Sequence, residues 1–100
     1  MSSSPSSSAP SETGSVTVRY WASARSAAGV ESDELAVECP VSLAEVTQQV
    51  LALHRGSRLS DVIAVCSVLV GDRPAGTRDP AQVMVEPGTT VEFLPPFAGG

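Results

Sequence analysis

The sequence predicts a small α+β fold, with one main helix packed on one face of a mixed sheet of four to five strands. Three observations lead there. Apolar residues alternate near both ends of the domain, at Val16–Ala22 and Thr90–Leu94, which is the period of a half-buried strand. Between them, residues 42–56 carry apolar side chains at helical spacing. The element order reads strand, strand, helix, strand, short strand, strand. A lone helix covers only one face of such a sheet, so the other face is left to water or to a partner.

Residues 1–14, MSSSPSSSAPSETG, are rich in Ser and Pro and have almost nothing to bury, so they read as a disordered leader. The folded domain is expected over 15–100. In the first strand, Val16, Val18, Tyr20 and Ala22 point one way, and Thr17, Arg19 and Trp21 the other. The segment SARSAAG reads as a turn ending at Gly29. Glu34–Cys39 alternates again, with Leu35, Val37 and Cys39 on one face, and is expected to pair with the first strand across a long loop.

The helix has the clearest start and stop. Ser42 is a good N-cap and Glu45 lies three residues on, the capping-box spacing. Val41 and Val46 fit a hydrophobic staple. Leu43, Val46, Val50 and Leu53 form the apolar stripe. His54 and Arg55 suit the negative end of the helix dipole, and Gly56 supplies the stop. Val62–Val70 is apolar and β-branched, and should contain a buried strand. Residues 71–76 read as a turn, Gln82–Val85 as a short strand, and Glu86–Thr89 as a Pro-Gly turn. On the last strand Val91 and Phe93 share one face, Glu92 and Leu94 the other.

Composition bounds the function. One hundred residues make one domain at most, and 42% hydrophobic residues suffice for a small core built mainly of Val, Leu and Ala. A net charge of −5 argues against binding to nucleic acid or to an anionic membrane surface. No run is long and apolar enough for a membrane helix, and the N-terminus lacks the pattern of a signal peptide. The two cysteines, Cys39 and Cys66, both sit in apolar runs and are expected to be buried and reduced in a cytoplasmic protein. They are far apart, with no CxxC spacing or histidine cluster nearby, so this chain alone cannot supply a four-cysteine zinc or iron–sulfur site and no metal is expected. All six basic residues are arginines, in keeping with a chain rich in Ala, Val and Gly.

The usual constellations for catalysis are missing. The one histidine, His54, falls at a helix end. The adjacent acids Asp33 and Glu34 read as solvated. No phosphate-binding loop occurs. The chain by itself is therefore not expected to be an enzyme. Attention passes to FLPPFAGG, residues 93–100. With eight glycines in the chain, a chance terminal Gly-Gly has odds of roughly 1 in 150. Pro95 and Pro96 end the strand and project the last four residues away from the body, because proline cannot continue a ladder. Phe97 and Ala98 lead on to Gly99 and Gly100. Two residues without Cβ atoms pass through a channel too narrow for others, and a terminal glycine carboxylate is open to attack.

Two segments carry a resemblance. Tyr20-Trp-Ala-Ser-Ala-Arg-Ser-Ala-Ala-Gly and Pro87-Gly-Thr-Thr-Val-Glu-Phe-Leu-Pro-Pro-Phe-Ala-Gly-Gly resemble the opening and closing motifs of the MoaD/ThiS family of ubiquitin-like sulfur carriers, most of all the small subunits of molybdopterin synthases. The likeness runs from about Val16 to Gly100. Ser26, Thr89 and Leu94 depart from the family pattern, and residues 71–82 read as a longer loop. The resemblance implies a β-grasp fold. It implies that a partner E1-like adenylating enzyme spends ATP to make an acyl-adenylate at Gly100, which a sulfur donor converts to a thiocarboxylate. It further implies a molybdopterin synthase large subunit as partner, in a heterotetramer, where the thiocarboxylate gives its sulfur to cyclic pyranopterin monophosphate and the catalytic residues reside. No cofactor would be held permanently.

Within that frame Trp21 and Leu94 would form an apolar patch on the open sheet face, with Phe93 and Arg25 as further interface candidates. Three other functions remain open from the sequence. One is a carrier serving thiamine or cysteine synthesis. Another is a ubiquitin-like modifier joined to target lysines through Gly100. The last is a plain interaction module.

Overall fold

The computed structural model describes residues 14–96. Ten short elements fold around a five-stranded mixed sheet in the order β2-β1-β7-β4-β5. Strand β1 (Gly14–Tyr20) pairs antiparallel with β2 (Ser32–Val37) and parallel with β7 (Thr90–Leu94). Antiparallel pairing joins β7 to β4 (Ser67–Val70), and β4 to the two-residue edge strand β5 (Arg73–Pro74). The first and last strands of the domain are therefore neighbours at the sheet's centre. This is the mixed-sheet α+β architecture expected, with five strands.

Alternation decides which side of the sheet is covered. Val16, Val18 and Tyr20 of β1, Leu35 and Val37 of β2, and Val91 and Phe93 of β7 all point to one side and are buried. On that side lies α2 (Leu43–Leu53), which inserts Leu43, Val46 and Val50. Each such side chain, fully buried, stabilises by about 1.5–3 kcal/mol. Ser42 caps the helix, its Oγ accepting the Glu45 amide at 3.1 Å. Leu53 departs from the expected stripe: it is 56% exposed, and His54, four residues after Val50, takes the sheet-facing place with Asp33 and Tyr20. Gly56 takes its left-handed conformation, φ 81°, three residues beyond Leu53.

Several local expectations are corrected. The segment expected to be a turn is a helix, α1 (Ala22–Ala28), four of whose seven residues are alanine, the strongest helix former. Gly29 caps it at φ 79°, donating to the Arg25 carbonyl at 2.9 Å. Ala22 consequently leaves the strand face. It turns the chain from β1 into α1 at φ 51°, a left-handed conformation that costs a non-glycine residue about 1–2 kcal/mol. The apolar run from Val62 to Val70 does contain a strand, β4, but a half-buried and short one. A short helix, α3 (Leu59–Ile63), buries Leu59, and β4 begins only at Ser67. Cys39 is exposed beyond the end of β2, and Cys66 is half-buried. The short strand expected over 82–85 is β6 (Met84–Val85), which pairs with β3 (Val41–Ser42) as a separate ribbon. Gly14, read as the end of the leader, is the first residue of β1 and lies tightly against the Pro87 side chain.

Candidate functional site

The site expected from the sequence is the end of β7 and the tail beyond it. Phe97, Ala98, Gly99 and Gly100 lie outside the described residues, so the geometry concerns the root from which they extend. Strand β7 is held on both sides up to its last residues, with Phe93 in register with Tyr20 of β1 and Leu94 with Ser67 of β4. The Phe93 carbonyl also accepts the Trp21 amide at 3.2 Å. Pro95 has no N–H to offer, and pairing stops there, as its ring requires. The root thus belongs to the central strand of the sheet, paired on both sides.

Phe93 is not a surface residue. It is 0% exposed and stacks parallel to Tyr20, ring centroids 6.2 Å apart. The interface role expected of it is therefore corrected: it anchors the root from beneath. Under the same ring system lies a polar clasp. The Tyr20 hydroxyl donates to Asp33 Oδ2 at 2.8 Å, and His54 Nε2 meets the same oxygen at 2.5 Å. Burial, followed by the hydrogen bond to the Asp33 carboxylate and its charge, pushes the Tyr20 hydroxyl well above its usual range. Asp33 is thus a buried-side acceptor joining β1, β2 and the end of α2, and not the solvated acid its position beside Glu34 indicated. The signal for it was present: a tyrosine alternating with core valines needs a partner for its hydroxyl.

On the opposite side of the sheet Trp21 is 39% exposed. Its indole Nε1 donates to Glu92 Oε1 at 2.9 Å, and the Arg19 guanidinium lies 4.9 Å from the ring centroid. Glu92 and Leu94 share this face of β7, so Trp21 and Leu94 flank the same carboxylate. The expected apolar patch is in fact mixed: an aromatic plate held between a cation and an anion, with half-buried Leu94 beside it. Leu94 also lines a shallow hollow with Leu69 and Pro74. Arg25, the other interface candidate, is exposed at the surface. Its Nη2 pairs with Glu31 Oε2 at 2.8 Å, bracing the turn between α1 and β2.

Below the root, Pro95 and Pro96 form one wall of a groove of about 700 Å3 running between α1 and α3. Among the described residues no group of three or more His, Cys, Asp or Glu side chains is placed to hold a metal ion. No helix among them is long and apolar enough to cross a membrane. Ser23, Ser26, Ser57, Arg58 and Asp61 also line this groove beside the two prolines.

Known proteins of similar sequence and shape point the same way. No family model matches the chain. It is 28% identical over 83 residues to the molybdopterin synthase sulfur carrier subunit of Aspergillus niger, spanning 83% of this chain and 91% of that one. Among solved structures, the small archaeal modifier protein 1 of Methanosarcina acetivorans superposes with a TM-score of 0.69 at 19% identity, covering 88% of this chain and 98% of the other. The complex of subunits 1 and 2 of the molybdopterin-converting factor of Helicobacter pylori gives 0.59 at 22% identity, over 86% and 99%. The protein is thus a ubiquitin-like β-grasp protein. Within that class its sequence is similar to that of a molybdopterin synthase sulfur carrier subunit, in line with the resemblance to the MoaD/ThiS family read from its two motifs.

Proposed function

We propose that this chain is the sulfur-carrying subunit of a molybdopterin synthase. The observation that carries the reading is the likeness, over 83 residues, to a molybdopterin synthase sulfur carrier subunit. The firmly held root at Phe93 and the di-proline exit agree with it. The Gly100 carboxylate attacks the α-phosphate of ATP within a partner adenylating enzyme and releases pyrophosphate. A sulfur donor then displaces AMP, leaving a thiocarboxylate. A carboxylate needs this activation because it is a poor electrophile. The loaded tail enters the large synthase subunit, whose residues carry out sulfur transfer to the pterin precursor. Water supplies the oxygen that replaces the departed sulfur, and the carboxylate is regenerated. ATP belongs to the adenylating enzyme, and this chain contributes no side-chain catalyst. The Helicobacter pylori complex supports a large-subunit partner for a protein of this fold.

A second reading draws on the likeness to the archaeal modifier: a protein joined through Gly100 to lysines of other proteins. Mass spectrometry of the C-terminal peptide, taken from protein recovered from its own host, separates the two. A thiocarboxylate on Gly100 is expected. Fragmentation must place the added mass on the terminus, because Met84 is 54% exposed and its oxidation nearly mimics exchange of oxygen for sulfur. A branched peptide on a foreign lysine favours the modifier. A plain carboxylate that persists after incubation with ATP, the host's adenylating enzyme and a sulfur donor overturns both.

A further inference from the structure

Both readings of Gly100 require that its carboxylate first be activated by another protein, and the structure limits where that protein sits. From Pro96 to Gly100 the chain advances four residues, at most about 14 Å when extended. An active site that encloses the Gly100 carboxyl must therefore press against the body of the domain around Pro96. Two surfaces flank that point. One is the mixed face of Trp21, Arg19 and Glu92. The other is the groove between α1 and α3, of which Pro95 and Pro96 are one wall.

The groove has the character of a receptor for an apolar side chain. Ala27 lies on its α1 side, with Val62 and Val65 on its α3 side. Val65 is 63% exposed, the most exposed of the large apolar residues among the described residues. Its rim carries Arg58 and Asp61, which offer a cation and an anion to polar groups alongside.

We propose that the α1–α3 groove is the docking site for an apolar side chain projecting from the adenylating enzyme. It grips the domain from the side opposite Trp21 while the tail is held in the enzyme's active site. This inference rests on the proposal that Gly100 is activated, and it names a second contact surface for that step. Docking there fixes the direction in which Pro95 and Pro96 launch the tail. An enzyme that filled the groove would thus test the body of its substrate as well as its glycine end.

The test uses the full chain and the adenylating enzyme of the same host. Binding is measured by titration and activation by ATP–pyrophosphate exchange. Val65→Glu places a charge in the groove. Leu53→Glu makes the same change in charge at an exposed apolar position of α2, outside the groove. Val65→Leu keeps the groove apolar. Circular dichroism checks that each variant is folded. Val65→Glu is expected to weaken binding about tenfold or more, the loss typical of an interface anchor, while Leu53→Glu and Val65→Leu stay within about threefold of the wild type. Equal binding by Val65→Glu and wild type, with the wild type supporting exchange, overturns the groove and leaves activation of Gly100 standing. Absence of exchange with the wild type overturns both.

Discussion

Replacing Tyr20 by Phe removes one oxygen and tests the clasp beneath the tail root. The ring remains, so the stack on Phe93 and the edge contact with His54, centroids 5.8 Å apart, are kept. What is lost is a 2.8 Å hydrogen bond to a carboxylate. Such bonds contribute about 1.5–3 kcal/mol, and Asp33 keeps His54 as a partner, so the lower end, about 1.5 kcal/mol, applies at neutral pH. For a domain of this size that lowers Tm by roughly 6–12 °C.

In alkali the difference closes. The folded state holds the Tyr20 hydroxyl protonated well above its usual range, so its stabilisation is complete below about pH 10. Above that the unfolded chain releases the proton and the folded chain does not, and stability falls by about 1.4 kcal/mol per pH unit. By about pH 11 the wild type has lost nearly what Tyr20→Phe lacks, and the two stability curves meet. Burial also raises the Cys66 thiol, which adds a decline of the same sign that begins lower, but in both proteins, so it cancels in the comparison. The assay is urea unfolding of both proteins from neutral pH to about pH 11. Tyr20 is the only tyrosine, so tyrosinate absorbance reports on it alone. Parallel curves throughout, or tyrosinate appearing in the folded protein near pH 10, would refute the clasp.

Two further substitutions probe the same geometry. Ser42→Ala removes the acceptor of the Glu45 amide and should cost about 1 kcal/mol, read as a lowered urea midpoint with an unchanged m-value. Trp21→Ala deletes a partly exposed plate outside the buried core, bonded to Glu92 and covered by Arg19, so the domain should stay folded. Binding to the large synthase subunit, measured by titration, should weaken about tenfold or more. Unfolding of Trp21→Ala, or unchanged affinity, would remove Trp21 from the interface.

What could be read from the sequence was what repeats along it. Val16, Val18 and Tyr20 against Thr17 and Arg19 gave the first strand and its buried face, and Ser42 with Glu45 gave the start of the main helix. Both signals lie within a few residues of one another. The clasp of Tyr20, Asp33 and His54 spans three elements, and only the fold brings its members together. The helix at Ala22–Ala28 was hidden by two serines and Gly29, which read equally as turn residues, although four alanines outweigh them. In the stretch from Val62 to Val70, β-branching argued for a buried strand, and β4 takes only its last four residues. The chain instead buries Leu59 in a short helix and leaves Val65 outside. Propensity yielded to packing there, and the result is one wall of the groove beside the tail.

The parallel pairing of β1 with β7 has a consequence for how the molecule is made. Thr17 lies in register with Thr90, so the middle of the sheet joins residues from nearly opposite ends of the domain. A chain still lacking β7 can form the β1–β2 hairpin and α2, but it has no centre in which to fix β4. Closing so long a loop is entropically costly and comes late, after the local elements have formed. The tail root therefore takes its fixed position only when the last strand has slid between β1 and β4. An unfinished or truncated copy offers a partner neither a rigid exit at Pro95 nor the groove beside it. Completion of the fold and presentation of the tail are one event, and an enzyme that recognises the root would spend ATP only on finished molecules.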